Sequence, residues 1–149
     1  MKIKYVSINQ NKTLIGIGLN DGFMIKDLNN KVLIRKKGEE VNIIELYYNS
    51  NLIFLIEKYM NILNIWNEYT KKYVYKIEKK DKIELLKITK NYILLSNKKE
   101  LCIYNLNTLE KIKIFYINNL VLDMNMNYIV YNKYGGYIET FNLNDNKVI

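Results

Sequence analysis

Histidine, proline and alanine are absent from this chain of 149 residues, and it has a single cysteine, Cys102, and a single arginine, Arg35. Without histidine the usual general base and the commonest metal ligand are missing. Ser7, Ser50 and Ser96 stand in no motif that would activate a nucleophile, so an enzyme is not expected. Cys102 has no second thiol with which to close a disulfide and no histidine with which to build a zinc site. Within its apolar strand it reads as a small buried hydrophobe. No cofactor or metal is called for. No run of eighteen apolar residues could cross a bilayer as a helix, and Met1-Lys2-Ile3-Lys4-Tyr5 leads into an alternating segment rather than a secretion signal. A soluble, cytoplasmic domain is the expectation.

Lysine, asparagine, isoleucine and tyrosine crowd every segment instead, and the formal charge is +8. Clustered lysines attract phosphates through long-range fields and counterion release. Arginine, the better fork for phosphate, is nearly absent, and an A/T-rich coding sequence produces the same skew, so the lysines are read as solvated faces. The stretch Tyr69-Thr70-Lys71-Lys72-Tyr73-Val74-Tyr75-Lys76 mixes stacking and charge as single-stranded nucleic-acid sites do. On an outer strand the same alternation separates tyrosine from lysine, and nucleic acid is not expected as a partner. Arg35-Lys36-Lys37 and Lys79-Lys80-Asp81-Lys82 are read as polar turns.

The chain repeats itself. Four segments share an apolar residue, a large residue and then Asp or Asn: Ile25-Lys26-Asp27, Ile65-Trp66-Asn67, Ile103-Tyr104-Asn105 and Thr140-Phe141-Asn142. Their intervals, 67−27 = 40, 105−67 = 38 and 142−105 = 37, match the blades of WD-type propellers, which recur at about 40 to 45 residues. Strand character fills each unit. Tyr5–Ile8, Leu14–Gly18, Phe23–Lys26 and Val32–Arg35 come first, then Ile43–Tyr48, Leu52–Glu57, Leu63–Trp66 and Lys72–Ile77. Ile83–Ile88, Tyr92–Ser96, Leu101–Asn105 and Lys111–Phe115 follow, and last Leu120–Met124, Tyr128–Tyr131, Tyr137–Phe141 and a stub at Val148-Ile149. Asn, Asp and Gly clusters punctuate them. Helical periodicity is scarce, its best candidate being the short Glu84–Lys90. Gly16-x-Gly18-x-x-x-Gly22 is one residue too long for a dinucleotide loop and is followed by a strand; these are read as hairpin glycines.

The segment Leu14–Ile25, in which an apolar strand ends in a glycine pair, turns and resumes at Gly22-Phe23, resembles the first-blade motif of the PROPPIN (WIPI) family. Ile43-Ile44-Glu45-Leu46, followed by Ser50-Asn51-Leu52, is similar to the family's second-blade entry. Leu63–Trp66, Ile83–Ile88, Tyr92–Leu95 and Leu101–Ile112 resemble its later strands in the right order. The resemblance covers residues 6 to 143 and the first half of the family's seven blades. It implies an all-β, WD-type propeller, partial, of about three and a half to four blades. The blades would fall at residues 1–37, 38–79, 80–116 and 117–149 of a single domain.

The resemblance also implies a non-enzymatic scaffold that recruits autophagy-type protein partners at phosphoinositide-bearing membranes. Such a scaffold is cytoplasmic and peripheral on autophagic, endosomal or vacuolar membranes. The family's Phe-Arg-Arg-Gly headgroup motif has no counterpart here, so no lipid-binding residue is assigned and any phosphoinositide contact falls to blades beyond the chain end. The partner loop before the Ile-Trp strand, here Lys58-Tyr59-Met60-Asn61-Ile62, lacks the family's Pro and Arg. Lys87 and Lys90 fall where the family's second basic partner surface lies, and they are the partner-binding candidates. An open arc of blades would leave apolar faces and strand edges uncovered, and self-association through them is expected. The alternative is a generic WD-repeat module that binds acidic protein or RNA and has no lipid role.

Overall fold

The computed structural model describes residues 1–124, 127–133 and 137–148, and of 118–123 the backbone alone. Every regular element among them is a strand. The chain divides into two compact units, Met1–Lys82 and Ile83–Ile149. In the first, β1 (Ile3–Ile8), β2 (Leu14–Leu19), β3 (Gly22–Asp27) and β4 (Val32–Lys37) form one antiparallel sheet. β5 (Ile43–Leu46), β6 (Leu52–Ile56), β7 (Ile62–Asn67) and β8 (Lys72–Glu78) form a second. In the second unit β9 (Leu85–Ile88), β10 (Tyr92–Ser96), β11 (Glu100–Asn105), β12 (Lys111–Met124), β13 (Tyr128–Lys133), β14 (Tyr137–Asn142) and β15 (Lys147–Val148) run in sequence order through one seven-stranded sheet. Sixteen strands were expected and fifteen are present among the described residues. The third unit's last strand and the fourth's first are continuous in β12, because no glycine or proline interrupts residues 115–120. β12 pairs with β11 up to Tyr116 and with β13 from Ile117 onward. The cluster Tyr134-Gly135-Gly136, expected from its sequence to be a turn, and Ile149 of the stub lie outside the described residues.

The repeat mark has a physical meaning. Asp27, Asn67, Asn105 and Asn142 each end a strand, and each turns its side-chain oxygen onto the backbone of the hairpin that follows. Asp27 Oδ1 accepts from the amides of Asn29 and Lys31 at 2.9 Å, and Asn67 Oδ1 from that of Tyr69 at 2.9 Å. Asn105 Oδ1 accepts from Asn107 at 2.8 Å, and Asn142 Oδ1 from Asn144 at 2.9 Å. A short side chain ending in an acceptor is what such an Asx turn needs. Three or four residues later every one of these hairpins places a residue in the left-handed region: Asn30, Lys71, Leu109 and Asn146.

Two of the three glycines read as hairpin residues have a different role. Gly16 and Gly18 lie inside β2 and serve close packing. A Cβ on Gly18 would lie 2.5 Å from the Val41 carbonyl oxygen, and one on Gly16 3.3 Å from Ser7 Oγ. Gly22 is the hairpin glycine, with φ of 129° and no room for a Cβ beneath the Lys36 carbonyl. Arg35, Lys36 and Lys37 are likewise strand rather than turn. The Arg35 guanidinium donates to Asp21 Oδ1 at 2.8 Å and to the Lys36 carbonyl at 2.6 Å, which fastens β4 to the start of β3.

Each unit buries an apolar cluster. In the first it comprises Phe23, Ile25, Val41, Ile44, Leu46, Ile53, Leu55 and Trp66. In the second, Phe115 packs edge-on against Phe141 at 4.8 Å, amid Leu94, Leu101, Ile103, Ile117 and Ile129. Burying side chains of this kind contributes roughly 1.5–3 kcal/mol apiece.

A polar clamp aligns the two sheets of the first unit. Buried Asn9, in the β1–β2 turn, accepts on Oδ1 from the amides of Thr13 and Leu14 at 2.8 and 2.9 Å. Its Nδ2 donates to the Tyr48 carbonyl at 2.9 Å. Gln10 beside it donates to the Leu46 carbonyl and accepts from the Tyr48 amide, and Ser7 donates to the Ile44 carbonyl at 2.7 Å. Removing the Asn9 amide leaves several backbone groups, partly buried, without their partner at once. Asn9→Ala is expected to cost about 1–3 kcal/mol in urea unfolding, and exposed Asn11→Ala at most about 0.5 kcal/mol; equal costs would contradict the clamp.

Candidate protein-docking site

The clamp ends in a groove. β5 stops at Leu46 rather than running to Tyr48 as expected, because Tyr48 adopts φ of 48°, a left-handed backbone uncommon for a bulky residue. Asn9 and Gln10 hold it there. Between this turn, the β7–β8 turn and the face of the first sheet lies a cavity of about 180 Å³. Leu14, Ile25, Ile34, Leu46 and Ile53 form its apolar lining, and Tyr48, Asn49, Glu68 and Tyr69 its rim. A cleft with an apolar floor and a few polar groups at its edge suits one large apolar side chain of a bound segment. Glu68 is already engaged, accepting from Trp66 Nε1 at 2.9 Å and pairing with Lys71.

The sequence-derived candidates lie in the other unit. Lys87 sits on β9 opposite Leu94 of β10, half-buried, on the strand face opposite to that of buried Leu86 and Ile88. Lys90 is exposed in the turn that follows, where the Thr89 hydroxyl accepts from the Tyr92 amide at 3.1 Å. One strand and its turn therefore carry both cations. The Lys58–Ile62 loop is the β6–β7 turn and exposes Tyr59.

Three tyrosine–glutamate pairs were not foreseen. Tyr5 Oη donates to Glu45 Oε1 at 3.0 Å across the two sheets, Tyr73 Oη to both oxygens of Glu57, and Tyr131 Oη to Glu139 at 2.6 Å. Burial first, then the neighbouring carboxylate and the hydrogen bond to it, hold the Tyr5 and Tyr73 hydroxyls above the ordinary tyrosine range. For Tyr131 burial again leads, followed by its hydrogen bond to Glu139. Tyr131 and Lys133 hold the partly exposed Glu139 carboxyl below the usual carboxylate range. Only the Tyr131–Glu139 partners sit directly opposite one another across a hairpin, a register that strand alternation could have revealed.

No protein-family model matches the sequence, and no characterised protein matches it by sequence. Solved structures do. Hsv2 of Kluyveromyces marxianus superposes with a TM-score of 0.86 at 14% identity, over 98% of this chain and 50% of its own. Hsv2p of Kluyveromyces lactis gives 0.84 at 16% identity, over 100% and 50%. The fold is that of about half a PROPPIN propeller. The same likeness extends to a complex of KlAtg21 with the coiled coil of AgAtg16, at a TM-score of 0.79 and 16% identity, over 100% of this chain and 55% of its counterpart. The chain spans about half the length of the Hsv2 chains it matches. The all-β, partial-propeller expectation is met, and the meanders β1–β4 and β5–β8 are blade-type sheets.

The tyrosine pairs give the stability a pH dependence of known sign. A hydroxyl whose pKa is raised by folding stays protonated in the native state while the unfolded chain ionises near pH 10. The unfolded state then binds fewer protons, and stability falls as pH rises. Urea midpoints are expected to hold below about pH 10 and to fall steeply above it. Tyr5→Phe should flatten the fall; an unchanged slope in that variant would show that the Tyr5–Glu45 pair does not carry it.

Proposed function

We propose that the chain is the docking portion of a PROPPIN-like scaffold, non-enzymatic, recruiting autophagy-type protein partners at phosphoinositide-bearing membranes. The observation that carries this reading is the match of the whole chain to half of the Hsv2 propeller. Protein partners are supported by the neighbouring complex, in which KlAtg21 holds a coiled coil. In this reading Lys87 and Lys90 meet acidic side chains of the partner as point charges. Phosphoinositide is met by the half of the fold that this chain does not span, which makes the assembled protein cytoplasmic and peripheral on autophagic, endosomal or vacuolar membranes.

The test uses the product of the complete reading frame. It should float with vesicles containing phosphoinositide and not with phosphatidylcholine alone, and it should capture a coiled coil such as that of AgAtg16. Lys87→Glu with Lys90→Glu should weaken that capture at least about tenfold, since a reversed charge repels the same partner, while leaving the melting temperature in place. Equal flotation on both vesicles sinks the lipid role, and undiminished capture by the double variant removes the two lysines from the interface.

Self-association belongs to the same proposal. The face of the first sheet that points away from the second exposes Val6 and Ile8, at 54% and 56%, beside Ile15, above a floor of Ile17 and Met24. At micromolar concentration the 149-residue chain should sediment as more than one copy, and Val6→Lys with Ile8→Lys should return it to a single one. A monomeric parent refutes this part.

A further inference from the structure

Lys36 leaves β4 toward the neighbouring sheet of its own unit and ends in an aromatic corner. Its Nζ lies 4.6 Å from the ring centroid of Trp66 and 5.6 Å from that of Tyr73. The two rings meet edge-on, 5.0 Å apart and inclined at 72°. Gly38 makes the third wall, where a Cβ would come within 3.3 Å of the Lys36 nitrogen. Both rings donate hydrogen bonds to carboxylates, Trp66 Nε1 to Glu68 and Tyr73 Oη to Glu57. Donation of that kind leaves a ring richer in electrons, and the negative face of a ring is what attracts a cation. Lys36 makes no ion pair among the described residues, the salt bridges nearby belonging to Lys4, Arg35 and Lys71.

The corner thus holds an ammonium by its ring faces, with Glu68 and Glu57 bonded to the ring donors and the Glu39 carboxylate also acting on Tyr73. A carboxylate facing Lys36 would have tied the sheets together more simply. Ring faces discriminate instead: they favour large, weakly hydrated cations over potassium, which is why aromatic cages recognise quaternary and methylated ammonium groups. Tyr73 is 47% exposed, so the corner opens to solvent on that side, and withdrawal of one flexible lysine would uncover the otherwise buried Trp66.

We propose that the Trp66–Tyr73 corner is a binding site for a quaternary or methylated ammonium group, with Lys36 as the resident competitor that an incoming ligand displaces. The site is independent of the docking role argued above and would survive its failure. The cation the corner already holds is that of a lysine, so the ligand is a methylated lysine of a partner chain, and a choline headgroup is the other outcome the test can give.

Trp66 is the only tryptophan, so its fluorescence reports the site directly. Tetramethylammonium chloride titrated into the 149-residue chain, against potassium chloride at equal ionic strength, should give a saturable change. Lys36→Ala should tighten it by about 3- to 30-fold, the worth of the lost competitor, and Tyr73→Ala should weaken it. A peptide bearing trimethyllysine and vesicles of phosphatidylcholine then distinguish the two ligands. If Lys36→Ala responds no differently to tetramethylammonium than to potassium, the proposal falls. Should that variant fail to fold by circular dichroism, the parent and Tyr73→Ala decide the matter, and equal affinities for tetramethylammonium sink it.

Discussion

Each sheet in this chain satisfies its own backbone through antiparallel pairing, but no single sheet can hide its own apolar face. In the first unit the burial of one sheet's face against the other is therefore the constraint on which the rest depends. Gly18 is a glycine because the Val41 carbonyl comes against it. Asn9, Gln10 and Ser7 are polar because the turn and strand they face bring unpaired carbonyls with them. A buried polar group without a partner costs more than a made hydrogen bond gains, so these contacts fix one alignment of the sheets where apolar packing alone would tolerate several.

Much of the fold was legible because its signals are local. Strand alternation has a period of two, and an Asx turn needs its acceptor two residues before the amide it serves, so both can be found in a short window. Asp27, Asn67, Asn105 and Asn142 therefore carried the repeat even though only one of them follows a tryptophan. Errors arose where a local rule was applied to a contact made elsewhere. Gly16 and Gly18 resemble turn residues until Val41 and Ser7 are placed over them. Arg35-Lys36-Lys37 resembles a solvated turn until the Arg35 fork is seen gripping Asp21 and the Lys36 carbonyl.

The sites were less legible than the scaffold. Tyr5 and Glu45 are 40 residues apart, and Lys36 reaches Trp66 and Tyr73 from a different sheet. No periodicity links such partners, because their proximity is a property of face-to-face packing. Lys87 and Lys90 were reached through family likeness, and their placement on one strand and its turn follows from β9 ending at Ile88. The groove beside Tyr48 left no mark in the sequence at all, since a left-handed tyrosine is prescribed by the amides of Asn9 and Gln10 and by nothing within the turn itself.

β12 has a consequence of a different kind. Because one strand belongs to two ladders, it changes partner through register irregularities between Ile117 and Asp123, and extra residues taken up in this way bend and twist a strand locally. The connection between those two ladders is thus the place in the second unit that already absorbs extra residues, whereas the Asn105 and Asn142 hairpins are held to one length by the side-chain oxygen that closes each.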